Sequence, residues 1–219
     1  MKKYLFLAVV MAALMGVNTA FSEQKIEQIY ENVVKMSESH TPNSYTVEVE
    51  NERFREALKE LPKDVLTGKG QPAVVIKFEK GRGVKLVIEN VQKEYSSLFS
   101  MYEEYFKFSG ISKVQNPSEL KELVNKDKVE FYQQNPDEVI IKAWDPQVEQ
   151  KGSNYALFFL DRDKWVIKKA EYYLDGEPYM KAVNSYKYYN SYYMPYKIVL
   201  TNLKDSSTDE FIFSNYQFN

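Results

Sequence analysis

The chain has 219 residues, 44% hydrophobic and 27% charged, with a formal charge of −2. This is enough for one well-packed domain, excludes disordered and collagen-like classes, and leaves no basic surplus for a nucleic-acid partner. With no cysteine and one histidine, His40, disulfides, thiolate nucleophiles and cysteine zinc sites are out and imidazole catalysis has almost no raw material. No cofactor is expected, and the composition argues against most enzymes.

Met1-Lys2-Lys3 is a positive start, and Tyr4 to Val17 is an apolar run shorter than the about 20 residues that a spanning helix needs. Ala20-Phe21-Ser22 follows with small residues at alternating positions. The pattern reads as an export signal, residues 1–22, cleaved after Ser22. No cysteine follows for lipid attachment. The mature chain, residues 23–219, reads as one exported, periplasmic, monomeric domain.

Glu23 to Ser39 is expected to be a helix, with Ile26, Ile29, Tyr30, Val33 and Val34 on one stripe. Thr41-Pro42-Asn43-Ser44 breaks it, and Tyr45, Val47 and Val49 then alternate with polar residues as a half-buried strand. Phe54, Leu58 and Leu61 fit a short helical turn before Pro62. Ala73–Glu79 and Val84–Glu89 form a hairpin across Lys80-Gly81-Arg82-Gly83. A ring-rich amphipathic helix is expected over Val91 to Phe108. A further helix starts at Asn116-Pro117-Ser118-Glu119, with a capping Asn and proline at the first helical position.

Strands then follow at Val129–Gln133, Glu138–Trp144, Asn154–Leu160, Trp165–Leu174, Pro178–Tyr189, Tyr192–Leu203 and Glu210–Phe218. Their short connections force antiparallel neighbours. The fold class is α+β: a wide curled antiparallel sheet, an incomplete β-barrel, with helices covering the concave face.

Motifs for chemistry are weak. Asp161-Arg162-Asp163-Lys164 lacks the glycine and closing glutamate of a calcium loop and reads as a hairpin turn. Gly81 and Gly83 lie between two strands, not at the strand-to-helix junction that a phosphate loop requires. His40 sits at a helix carboxyl end, where a cation suits the dipole. Carboxylates are plentiful, but their spacing singles out no acid and base pair.

The aromatic features are more informative. The 91–108 segment reads either as ordinary core or as a lid over an apolar pocket. Tyr186, Tyr188, Tyr192, Met194 and Tyr196 read as cross-strand pairs or as a wet-edged apolar groove.

Phe158-Phe159-Leu160-Asp161 leads to Trp165, then to Lys169-Ala170-Glu171-Tyr172-Tyr173 and Asp175-Gly176-Glu177-Pro178. Tyr186-Lys187-Tyr188-Tyr189 and Met194-Pro195-Tyr196-Lys197-Ile198 follow. This cadence of strand, Asp-Gly turn, strand and proline-containing strand resembles the LolA-like periplasmic lipoprotein carriers, the outer-membrane lipoprotein-sorting family. Ile76 to Arg82 stands where the family has a Lys-Arg-Pro-aromatic stretch and lacks the proline.

The resemblance implies a helix-lidded half-barrel that binds acyl chains of lipoproteins or lipids and carries them toward the outer membrane, served by membrane-bound donor and acceptor proteins. Alternation then selects the inward residues: Val74, Ile76 and Phe78, and Leu86 and Ile88, from the hairpin. Later strands supply Val139, Ile141, Leu157, Phe159, Tyr186, Tyr188, Ile198 and Leu200, and the lid supplies Leu98, Phe99, Tyr102 and Phe106. On this reading Leu98→Asp and Ile198→Asp both weaken ligand retention. The alternatives are an interaction or envelope-stress sensing module on the same fold, and a carboxylate hydrolase.

Overall fold

A computed structural model describes residues 25–80, 82–100, 103, 106, 129–144 and 152–219. Helix α1 runs over residues 25–40, and buries Ile26, Ile29 and Val33 at the three-and-four spacing that places them on one stripe. Strand β1 (Ser44–Glu50) buries Tyr45, Val47 and Val49 in alternation. Helix α2 (Glu52–Lys59) follows at once.

Asn51 makes that abrupt change possible. Its Oδ1 accepts hydrogen bonds from the Arg53 and Phe54 amides at 3.0 and 3.4 Å, a helix cap, while its Nδ2 donates to Glu210 O at 2.9 Å. One buried side chain thus starts α2 and ties it to a distant strand. Asn51→Ala loses the cap and leaves three backbone groups, the buried Phe54 amide among them, without their partner, so chemical denaturation is expected to show a loss of about 1–3 kcal/mol. Asn51→Asp keeps the cap but cannot donate to Glu210, so it recovers only part of the loss; full recovery would contradict the cross-link.

The remaining strands are β2 (Ala73–Glu79), β3 (Gly83–Glu89), β4 (Val129–Gln134), β5 (Glu138–Ala143) and β6 (Tyr155–Asp161). They continue with β7 (Ile167–Leu174), β8 (Glu177–Tyr189), β9 (Tyr192–Asn202) and β10 (Thr208–Phe218). All ten form one open antiparallel sheet in the order β3-β2-β1-β10-β9-β8-β7-β6-β5-β4. A meander in chain order would place β1 at an edge. Instead β1 sits between β2 and β10, with Tyr45 opposite Phe218 and Val49 opposite Phe213. The sheet edges are β3 and β4, which are neighbours in sequence.

Side chains close the turns by accepting backbone amides. Asp161 Oδ1 takes the amides of Asp163 and Lys164, both at 2.8 Å, and Asn135 Oδ1 takes those of Asp137 and Glu138. Asp161 is therefore committed to its hairpin, as its spacing implies. Asp175 and Gly176 both have positive φ, the mirror-image turn that matches strand twist.

Within the expected 91–108 helix, residues 91–100 depart from α-helical geometry. Residues 93–95 form a 3-10 turn, and the amides of Tyr95, Ser96, Leu98 and Ser100 each bond a carbonyl three residues back. Ser96 Oγ also bonds Lys93 O at 2.8 Å, a local competitor to helical pairing. Glu103 and Phe106 are helical. The helix start expected at Asn116 lies outside the described residues.

Candidate functional site

One face of the sheet carries a continuous apolar cluster. It takes Val74, Ile76 and Phe78 from β2, Leu86 from β3, Val139 and Ile141 from β5, and Ile198 and Leu200 from β9. Ile26, Ile29 and Val33 of α1, Phe54 of α2, and Phe106 belong to the same cluster. Phe54 stacks on Phe99 at 5.0 Å, and Phe106 meets Phe211 and Phe213 edge-on at 5.3 and 6.0 Å.

The segment carrying Phe99 and Phe106 is also bonded to the sheet edge. The Leu86 amide donates to Glu103 Oε1 at 2.9 Å and the Ile88 amide donates to Ser96 O at 2.8 Å. Both donors are on edge strand β3, so this segment occupies amides that an edge leaves unpaired.

Tyrosines fill the other end of the cluster. Tyr45 stacks on Phe78 at 5.0 Å, and Tyr216 contacts both Tyr45 and Tyr189. Their hydroxyls are used internally: Tyr186 donates to Ile167 O, Tyr189 to Phe213 O and Tyr216 to Pro195 O. Burial pushes the Tyr172, Tyr186 and Tyr216 phenols well above the ordinary 10.0. The fold therefore favours their neutral forms, a contribution complete below pH 10 and lost as pH rises toward the raised values. A spectrophotometric alkaline titration is expected to show exposed tyrosines ionising first. These three should ionise only with cooperative unfolding. A single smooth transition near 10 in the folded protein would contradict their burial.

The sequence-selected residues divide. Val74, Ile76, Phe78, Leu86, Phe106, Val139, Ile141, Ile198 and Leu200 share the main cluster, and Phe99 and Tyr186 pack against it. Ile88 joins an adjoining group with Val65 and Val91. Leu157 and Phe159 do not share this face. On β6 it is Ala156, Phe158 and Leu160 that enter the main cluster.

Leu157 and Phe159 pack on the opposite face with Ile140, beside stacked Tyr155 and Tyr173. There Lys169 lies 3.5 Å from the Phe159 ring centre and Lys142 lies 4.0 Å from that of Tyr155. Their methylene stems shield the patch from water.

Tyr188 is 52% exposed and Leu98 47% exposed. The β8–β9 register shifts between Ser185 and Tyr186, and beyond the shift Tyr189 packs inward in place of Tyr188. Leu98 lies in the turn region, where helical spacing does not apply, and only its neighbour Phe99 packs inward. Tyr102 lies outside the described residues.

Sequence reasoning also passed over Phe54, Phe211 and Phe213 as site residues, although all three are buried in the cluster. The alternation of Phe211 and Phe213 in β10 was the available signal.

The solved structures that resemble this chain include a protein domain from Vibrio parahaemolyticus assigned provisionally to outer membrane lipoprotein sorting. It superposes over 89% of this chain and 93% of its own, with a TM-score of 0.50 and 14% sequence identity. The two chains share one fold.

A DUF1329 family protein from Desulfovibrio piger covers the same shares with a TM-score of 0.47 and 11% identity. A LolA superfamily protein from Nitrosomonas europaea reaches 0.39 and 9%, over 88% of this chain and 93% of its own. No family model and no curated protein matches the sequence. In this fold β1 and β10 lie side by side within the sheet and contribute Tyr45, Phe211 and Phe213 to the apolar cluster.

Proposed function

We propose that this chain is an exported periplasmic carrier that holds acyl chains of lipoproteins or lipids against the apolar face of its half-barrel. It moves them toward the outer membrane between membrane-bound donor and acceptor proteins, as a monomer and without a catalytic step. The supporting observation is the main apolar cluster, which unites all ten strands with α1, α2, Phe99 and Phe106. An acyl chain gains about 0.8 kcal/mol per buried methylene, so replacing ring contacts with a chain on such a face supplies ample affinity. Phe99 and Phe106, on a segment that also bonds β3, are the elements that would part to admit it.

Ring contacts already made among Phe54, Phe99, Phe106, Phe211 and Phe213 favour a second reading, an interaction module with a filled interior. Native mass spectrometry of the protein purified from the exporting compartment separates the two. A co-purifying acylated species is expected. A bare chain mass that persists after incubation with lipids and acylated peptides would leave the interaction module.

A further inference from the structure

The segment that brings Phe99 and Phe106 to the sheet is pinned at its root. Val91 bridges to Leu66, and the Gln92 amide donates to Val65 O at 2.9 Å. Asn90 has a φ of 63° and donates from Nδ2 to Gln71 O at 2.8 Å. Beyond this anchorage regular structure stops: the 93–95 3-10 turn runs on into bonds three residues back as far as Ser100. Short 3-10 stretches pair poorly and often mark hinges.

Past the hinge, the segment is clipped to β3. The Ile88 amide donates to Ser96 O and the Leu86 amide to Glu103 Oε1. Leu86 and Ile88 are two residues apart, so both amides leave the same edge, and the segment stands where an added strand would place its carbonyls. One of the two acceptors is a side chain. A half-buried carboxylate on an amide makes a charge-assisted bond, and a change at that one side chain releases it without unwinding any backbone. Directly beneath, Phe99 packs against both apolar groups, the one that holds Leu86 and the one that holds Ile88. Edge and interior are thus covered by the same few residues.

We propose that the part of the chain bearing Ser96, Phe99, Glu103 and Phe106 moves as one strap, hinged at residues 93–95, with the Glu103 carboxylate as its latch on β3. Releasing the latch frees both β3 amides and lifts Phe99 and Phe106 from the cluster in a single movement. Glu103 is a positioning residue: it acts through the strap and sets how often the interior opens. The strap stands on these contacts alone; that an acyl chain passes beneath it rests on the carrier reading.

Hydrogen exchange of the purified protein, read amide by amide by nuclear magnetic resonance, tests the latch. Glu103→Ala keeps a good helix former at this position. It is expected to speed exchange about tenfold at Leu86 and by a similar factor at Ile88. Ile88 is the decisive amide, because its own acceptor, Ser96 O, is untouched by the substitution. Glu103→Gln retains a side-chain oxygen to accept the bond and should restore most of the protection. The amides of Ile198 and Phe211, on strands paired on both sides, should exchange as in wild type. Faster exchange at Leu86 alone, or at neither amide, overturns the proposal. So does equal acceleration at Ile198 and Phe211, which would mean a general loosening.

A fluorescent anthroyl-labelled stearate separates the strap from the carrier reading. It is expected to enter Glu103→Ala about tenfold faster than wild type, in step with the exchange. Equal entry into both proteins despite faster exchange would show that the strap does not gate the interior, and overturns the proposal. Faster exchange with no stearate bound by either protein keeps the strap and removes the carrier reading. Unchanged exchange with stearate bound by both does the reverse.

Discussion

Phe211→Ala is expected to lower the stability of the protein by about 3–5 kcal/mol, the range for removing a fully buried phenylalanine from a core. Phe211 is 2% exposed and stands on β10, and its ring meets Phe54 of α2 at 5.8 Å and Phe106 at 5.3 Å. Two separate parts of the chain lose a partner together, and backbone pairing on both sides of β10 prevents collapse into the space. Urea denaturation should show a lower midpoint with an unchanged slope. The melting temperature should fall by roughly 10 °C for a domain of this size. A loss below 1 kcal/mol would mean that these rings do not form a common core.

Ile198→Asp and Leu98→Asp are expected to behave in opposite ways, although sequence periodicity treats both as inward residues. Ile198 is 1% exposed on β9, between Asn184 of β8 and Phe211 of β10. A carboxylate there has no cation to meet, and the expected loss exceeds about 4 kcal/mol, enough to prevent folding. Leu98 is 47% exposed, so Leu98→Asp should lie within about 0.5 kcal/mol of wild type. Soluble yield and near-ultraviolet circular dichroism report the contrast. On the carrier reading, Leu98→Asp also leaves lipid retention intact, and Phe99→Asp is the substitution on that segment that should weaken it. A folded Ile198→Asp protein would show that β9 presents its other face to the core.

The strands were legible because most of them bury only one face. β1 places its apolar residues in alternation, and the hairpin from β2 to β3 keeps the register that the sequence implies. β6 defeats the same method. All five residues from Ala156 to Leu160 are buried, so a continuous apolar run carries no phase, and Leu157 and Phe159 were assigned to the wrong side. The shift between Ser185 and Tyr186 misled the choice of Tyr188 by a related route, since one irregular pair ends any extrapolation along a strand.

The 91–100 stretch has helical spacing of its rings, but its backbone bonds run three residues back and Ser96 competes locally. Nothing local could reveal the pairing of β1 with β10, because the determinants lie on strands at opposite ends of the sequence.

The position of β10 has a consequence for how this protein is assembled. Strands β1 to β3 form one sheet fragment and β4 to β9 another, and Thr208–Phe218 is the only strand hydrogen-bonded to both. It acts as a splice. Without it, two edges would stand open where the folded sheet has none, each a template for pairing with another chain. The two fragments therefore cannot be joined until Thr208–Phe218 has been made.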